Sequence, residues 1–209
     1  MEINDKEYWT KFYSKNINLP QTPSPFAQYL VDHEIAKPNQ KLVELGCGNG
    51  RDSVFFAKND ILVTAIDQCE NTTSKLDQLH NIHSFSHDFT NLSAFEFPID
   101  VIYSRFTLHS ITEEDEERTL LWAFNNLSQK GVFCIEARTL KDPIFGKGID
   151  KGNHIWFYNQ HHRRFIDAQL FKAKLVNLGF EIQYFEEKDG FARYKDDNPV
   201  VLRAIVKKP

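Results

Sequence analysis

The chain is 209 residues long, enough for one substantial core and short for two full domains. Its 41% hydrophobic and 26% charged residues, with 18 phenylalanines, describe a folded globule and exclude a disordered, collagen-like or coiled-coil chain. A net charge of −4 leaves no basic footprint for a nucleic-acid backbone, and no stretch reaches the roughly 18 consecutive apolar residues of a membrane span. Residues 1–12 are charged where a secretion signal needs an apolar run, so the expectation is a cytoplasmic protein engaging neither nucleic acid nor membrane.

In chain order, residues 1–37 supply aromatic helices. Short β-rich apolar runs follow at 41–45, 61–66, 83–86, 99–104 and 132–137, separated by helical stretches at 51–59, 73–80 and 113–127. The acidic cluster 113–117 opens its helix and complements the helix dipole, a structural role. Residues 139–164 form a polar, glycine-containing insert expected to be a functional loop or lid. A last helix at 165–178, capped by Gly179, precedes strands at 180–186 and 200–206 that form a closing hairpin. This alternation predicts one α/β domain over 1–209: a Rossmann-like, seven-stranded, mostly parallel sheet with an antiparallel last strand and helices on both faces. Cys47, Cys69 and Cys134 contain no CxxC pair and are expected as reduced thiols, with no metal ligand set.

The strongest chemical signal is Val43-Glu44-Leu45-Gly46-Cys47-Gly48-Asn49-Gly50-Arg51-Asp52, a strand running through a glycine turn into a helix. A dinucleotide-binding GxGxxG would put its third glycine at Arg51, but the chain has it one residue early, at Gly50. Glu44, two residues ahead of the turn, would repel a pyrophosphate and attract an ammonium or sulfonium, so a cationic cofactor fits better. Asp67 ends the second strand about 20 residues on, where a ribose diol is held. Asp88 closes the third strand, with Phe89 placed to stack on a purine and Asp88 to accept from its amino group.

With these residues in view, the chain resembles the class I S-adenosylmethionine-dependent methyltransferases. The likeness rests on Glu44-Leu45-Gly46-Cys47-Gly48-Asn49-Gly50, Asp67, Asp88, the fourth strand ending Tyr103-Ser104-Arg105-Phe106, and the fifth after Lys130-Gly131. Gly48-Asn49-Gly50-Arg51-Asp52 and Tyr8-Trp9-Thr10-Lys11-Phe12-Tyr13 are similar to the small-molecule branch that includes tellurite-resistance and thiopurine methyltransferases. The resemblance implies S-adenosylmethionine as cofactor, Gly46 and Gly48 flanking its methionyl part around Cys47, and Asp67 with Gln68 at the ribose. It further implies Asp88 and Phe89 at adenine, Ser104 and Arg105 lining the donor's other side, and Trp9 and Tyr13 folding over the cofactor.

Methyl transfer needs alignment in a dry pocket more than acid or base chemistry. The candidate catalytic residues are Arg105 and His109; the latter is either a base near the methyl position or, the favoured reading, a packing histidine. Ser104-Arg105-Phe106-Thr107 stands where enzymes that methylate base or amide nitrogens carry an Asn/Asp-Pro-Pro-aromatic run, so DNA bases are not the expected target. The insert carries Arg138, His154, Tyr158, Arg163 and Arg164, an acceptor-binding set suited to carboxylate, phosphate or phosphoramidate, against the alternative of a solvated loop. The adjacency of His161 and His162 argues against a metal site there. The overall expectation is methylation of a small, anionic acceptor on oxygen, in surface-polysaccharide or natural-product biosynthesis. Two rivals stand beside it: a non-catalytic S-adenosylmethionine-binding sensor or assembly protein, and a nicotinamide-dependent oxidoreductase.

Overall fold

The computed structural model describes residues 6–15 and 22–209. Its first half runs α1 (Lys6–Lys15), α2 (Pro25–Asp32), β1 (Lys41–Leu45), α3 (Arg51–Lys58), β2 (Leu62–Asp67), α4 (Glu70–Leu76), β3 (Ile82–Ser86) and β4 (Ile99–Arg105). The second half runs α5 (Glu113–Asn126), β5 (Leu127–Arg138), β6 (Ile149–Asp150), β7 (Ile155–Tyr158), β8 (His161–Arg164), α6 (Ala168–Asn177), β9 (Glu181–Lys188) and β10 (Val201–Lys207). The main sheet has the order β3-β2-β1-β4-β5-β10-β9. β1 to β5 pair in parallel, and β10 lies antiparallel between β5 and β9. The chain steps outward from β1 to β3 and then crosses to β4, which opens a crevice beyond the carboxyl ends of β1 and β4, where open α/β sheets bind ligands.

Strand residues alternate between two apolar layers. Val43, Leu45, Ile102, Phe133 and Ile135 pack against Leu120 of α5 and Phe171 and Leu175 of α6. Leu42, Val101, Tyr103 and Cys134 pack against Phe26 and Leu30 of α2 and Phe56 of α3. The helices start and stop where side chains satisfy free backbone groups. Ser24 accepts from Ala27 N (3.1 Å) ahead of Pro25, Thr112 caps α5 through Asp115 N (3.1 Å), and Asp167 caps α6 through Gln169 N (2.9 Å) and Leu170 N (3.1 Å). Gly179, at φ 100°, closes α6 as expected: its N–H donates to Val176 O (2.9 Å) and that of Phe180 to Leu175 O (3.1 Å).

Some boundaries differ from expectation, each for a local reason. α6 starts at Ala168, not 165, because Asp167 takes the cap and Ile166 instead bridges to Thr139. α4 is Glu70–Leu76 instead of 73–80, since the Asp77 carboxylate accepts Ser84 N (2.8 Å) and turns the chain into β3. β5 begins at Leu127, directly from α5, with Lys130 left-handed at φ 67° beside a register shift. The insert is not an irregular loop: β6, β7 and β8 form a small antiparallel sheet. Its tight hairpin turns on Asn159 (φ 50°) and Gln160 (φ 66°), a pair of positive φ values that follows the strand twist. Cys47, Cys69 and Cys134 are free and buried. Among the described residues no helix is long and apolar enough to cross a membrane.

Candidate active site

The glycine turn sits on the switch point. Gly46 N (2.8 Å) and Cys47 N (2.9 Å) both donate to Ile66 O, which pins the turn across the end of β2. Gly46 and Gly48 have φ of 72° and 55°, and a Cβ would run into Thr107 Cγ2 at the first and Tyr13 Oη at the second. Only glycine meets both demands. Asp67 Oδ2 accepts Gly48 N (2.8 Å) and its Oδ1 accepts Cys69 N (2.9 Å), so this carboxylate fastens the turn to the start of α4. Burial raises its pKa, and the bonds from Cys69, Gly48 and Gln68 oppose that rise. Each oxygen keeps a lone pair with which to accept from a diol.

Beneath the turn Glu44 is 5% exposed and accepts from Ser53 Oγ. Burial first, then the charge of Asp52, lifts its pKa well above the carboxylate range. Asp52 accepts from Ser24 N and Oγ (2.7 Å each) and Tyr103 Oη (2.8 Å), tying α2, α3 and β4 together. Two buried acids side by side are relieved by a nearby cation, which fits a sulfonium or ammonium better than a pyrophosphate. Cys47 is buried among these groups, its thiol pushed up by burial and by Asp67.

The remaining expected cofactor residues fall around this turn. Asp88 Oδ1 caps the short 3-10 turn Phe89–Asn91, accepting from Thr90 N (2.9 Å) and Oγ1 (2.8 Å), while Oδ2 has no protein partner among the described residues. Phe89 belongs to the α5/α6-side core, with its ring edge close to Gly46. Gln68 is half-buried between Asp67 and Cys69, and its carbonyl accepts from Ser86 Oγ (3.2 Å). Ser104 departs from expectation: it is wholly buried, its hydroxyl paired with Thr107 Oγ1, so its side chain presents nothing to the crevice. α1 lies over the turn. Tyr13 rests against Gly48, Trp9 stacks on Tyr13 (6.0 Å), and Tyr8 and Trp9 meet His161 of β8 (4.5 and 5.3 Å), so the aromatic stripe spans from the turn to the insert.

The other side of the crevice is cationic. Arg105 ends β4 with Nε on Glu136 Oε1 (2.9 Å), and the next residue, Phe106, is left-handed at φ 58°. Arg105 and Arg138 both approach the Phe106 ring, at 4.5 and 5.6 Å, and His109 meets it edge-on at 5.3 Å. His109 is buried and its Nδ1 accepts Arg138 N (3.4 Å), which assigns the ring proton to Nε2. Burial, then Arg138, Arg163, His161 and Arg164, hold its pKa well below the usual range. A neutral ring with its lone pair engaged suits an N–H donor, not the proton-accepting base considered from the sequence.

Among the insert residues, strand alternation separates neighbours. Arg164 turns inward, 5% exposed, and donates to Ile111 O (3.0 Å), Leu108 O (3.1 Å) and Glu116. It is a structural brace, and its guanidinium is not open to an acceptor. Arg138 pairs with Asp142 (2.9 Å) and Asp197. Arg163, half-buried on the opposite side from Arg164, donates to Tyr158 O (3.2 Å) and has no carboxylate partner among the described residues. Burial and the charge of Arg138 lower its pKa. His154 stands apart, exposed at the far end of β7 near Phe145. The structure thus brings Arg138, Arg163, His109 and the Tyr158 carbonyl into one neighbourhood.

Residues not foreseen are the acids and the second row that hold these cations: Asp197, 59 positions from Arg138, and Glu136 with Arg203. A charged residue inside the apolar run Val200-Val201-Leu202-Arg203-Ala204 was the one available signal for the last pair.

A methyltransferase domain family model matches residues 17–184. No curated protein matches the chain. Among solved structures, the Burkholderia thailandensis 1,6-didemethyltoxoflavin-N1-methyltransferase, with bound 1,6-didemethyltoxoflavin and S-adenosylhomocysteine, has a TM-score of 0.72 at 17% identity, over 97% of this chain and 86% of that one. A TehB-like methyltransferase from Corynebacterium glutamicum aligns at TM-score 0.67 and 17% identity, over 98% of each chain. The [4+2]-cyclase SpnF aligns at 0.68 and 14% identity, over 88% of this chain and 79% of that one. At these identities the structural likeness speaks to the fold, while the sequence match spans most of the chain. The chain belongs to the methyltransferase domain family and is an S-adenosylmethionine-dependent enzyme.

Proposed function

We propose that the protein transfers the methyl group of S-adenosylmethionine to an oxygen of a small acceptor bearing a carboxylate, phosphate or phosphoramidate group, in surface-polysaccharide or natural-product biosynthesis. The observation that carries this reading is Arg163, a half-buried guanidinium next to Arg138 that has no carboxylate of its own among the described residues. Such a group is stabilised by a bidentate anionic ligand.

The bound cofactor supplies an electrophilic methyl on a sulfonium. In this reading Asp67 and Gln68 take the ribose, the backbone of Gly46, Cys47 and Gly48 flanks the methionyl part, and Asp88 and Phe89 face adenine. Glu44 stands under the turn, where a bound cation would bring its raised pKa down and draw out its negative charge, and Trp9 and Tyr13 cover the cofactor from α1. Arg163, with Arg138 and Tyr158 beside it, fixes the acceptor's anion, and the His109 Nε2–H donates to the acceptor. His109 offers no free lone pair, so the nucleophile must already be competent; an ionised oxygen meets that condition. α1 and the β6–β8 sheet exclude water from the transfer.

The test is S-adenosylhomocysteine release over paired acceptors that differ only in an anionic group, with a 13C-methyl donor reporting the methylated atom. Turnover restricted to the anionic members, with an O-methyl product and a raised KM in Arg163→Gln, is expected. Equal use of neutral partners, or cofactor binding without turnover of any acceptor, overturns the reading.

A further inference from the structure

Three neighbouring strands carry an ionic row that neither the acceptor cluster nor the glycine turn uses. Arg105 on β4 is the register partner of Glu136 on β5, and Glu136 is the register partner of Arg203 on β10. Glu136, whose side chain is 0% exposed, gives Oε1 to Arg105 Nε (2.9 Å) and Oε2 to Arg203 Nε (2.5 Å). Arg203 is locked from behind: its Nη2 donates to Phe191 O (2.8 Å), and its Cζ lies 4.2 Å from the Phe191 ring and 4.9 Å from that of Phe26. One carboxylate between two guanidiniums leaves the row with a net positive charge.

That charge is directed to one end. Arg105 uses only Nε; its Nη1 and Nη2 have no protein partner among the described residues. No fully buried side-chain polar atom among those residues lacks a hydrogen bond, so the two terminal nitrogens reach solvent. Leu45 pairs with Ser104 across β1 and β4, which sets Arg105 one position further on, beside Gly46 at the mouth of the crevice. Arg105 thus presents a fork, held at its root and braced against Phe106, next to the turn expected to flank the methionyl end of the cofactor.

We infer that Arg105 is the receptor for the α-carboxylate of the cofactor's methionyl group, and that Glu136 and Arg203 are positioning residues that aim it. The inference rests on the cofactor site described above and assigns Arg105 to binding, not to the chemical step. A fork fixed at Nε offers two parallel N–H donors to a carboxylate with little further ordering. Glu44 of β1 is the register partner of Tyr103, two residues before Arg105 and so on the same sheet face, which sets a carboxyl group near the fork for the ligand's ammonium as the fork stands for its carboxylate.

The experiment is calorimetric titration of S-adenosylhomocysteine and its decarboxylated analogue, S-adenosyl-3-thiopropylamine, into wild type, Arg105→Gln, Arg105→Lys and Glu136→Gln. Wild type should prefer the carboxylate-bearing compound by about tenfold or more, the loss expected for a charge-assisted pair. In Arg105→Gln the preference should collapse to near parity while the analogue binds as it does to wild type, a result that also certifies the fold. Arg105→Lys should restore part of the preference. Glu136→Gln should reduce the preference without abolishing analogue binding, a change that a purely structural role would not produce. A wild-type preference retained in Arg105→Gln overturns the inference, whatever that variant does to acceptor use. Absence of binding of both compounds to wild type fails the cofactor reading itself, and this inference with it.

Discussion

Arg163 and Arg164 are adjacent, chemically identical and assigned together from the sequence, yet β8 turns them to opposite sides, and this makes a sharp test. Replacing Arg164 with Gln leaves Glu116, 1% exposed, with only Lys174, and strips donors from the Leu108 and Ile111 carbonyls. Breaking a buried pair of this kind costs about 3–5 kcal/mol. At about 2–4 °C per kcal/mol for a chain of this size, Tm should fall by about 6–20 °C. Arg163→Gln removes a half-buried cation that is repelled by Arg138, so its Tm should stay within about 2 °C of wild type, corresponding to about 0.5 kcal/mol. Its effect belongs in catalysis: loss of one charge-assisted contact of about 1.5–3 kcal/mol raises the KM of an anionic acceptor by about 10- to 150-fold. Thermal unfolding by circular dichroism and steady-state kinetics on the same preparations measure both. The reasoning is refuted if Arg164→Gln melts with wild type, or if Arg163→Gln loses stability and leaves acceptor KM unchanged.

Three further outcomes follow from the same geometry. His109 stays neutral when folded but protonates near pH 6.5 when unfolded, so stability should fall as pH drops below about 6.5, at up to about 1.4 kcal/mol per unit; His109→Gln should flatten that slope in urea titrations from pH 7 to 5, and an unchanged slope contradicts its burial. Glu44 has the opposite sign, a raised folded pKa whose stabilising contribution is lost as pH rises through it, so Glu44→Gln should gain stability at neutral pH. It should also narrow the preference for cationic S-adenosylmethionine over neutral S-adenosylhomocysteine in competition binding, and an unaltered ratio removes Glu44 from the cofactor's field. Gly48→Ala places a Cβ against Tyr13 at φ 55° and should cost about 1–2 kcal/mol in chemical denaturation from the backbone alone; a neutral result argues that the turn is not held in that conformation.

The sheet was legible because its strands are short β-rich runs between polar breaks, and β1 occupies the span that its residues announce. The turn and Asp67 were legible for a related reason: the glycines directly follow β1 and the acid ends β2, its parallel neighbour, so spacing alone brings them together. Boundaries slipped where a single side chain decides them, as Asp167 does for α6 and Asp77 for α4. The small sheet β6–β8 was missed because its residues lack a clean apolar alternation and its turn, Asn159-Gln160, is not the glycine-containing pair that marks such hairpins. Charge balance was the least legible layer. The sequence shows Arg138, Arg163 and Arg164 as equals, but Asp197 and Glu116, which neutralise two of them, arrive from segments 59 and 48 residues away.

The claim on which the rest depends is that the turn at Gly46–Gly48 and the carboxylate of Asp67 form a seat for S-adenosylmethionine. Calorimetric titration of S-adenosylhomocysteine into wild type and Asp67→Ala, with NADH as comparator, tests it most directly. The account predicts a single site per chain for S-adenosylhomocysteine, no heat from NADH, and a loss of about 1–3 kcal/mol of binding in Asp67→Ala from leaving the ribose hydroxyls unpaired. Undiminished affinity in Asp67→Ala, or NADH competing for the same site, would contradict it.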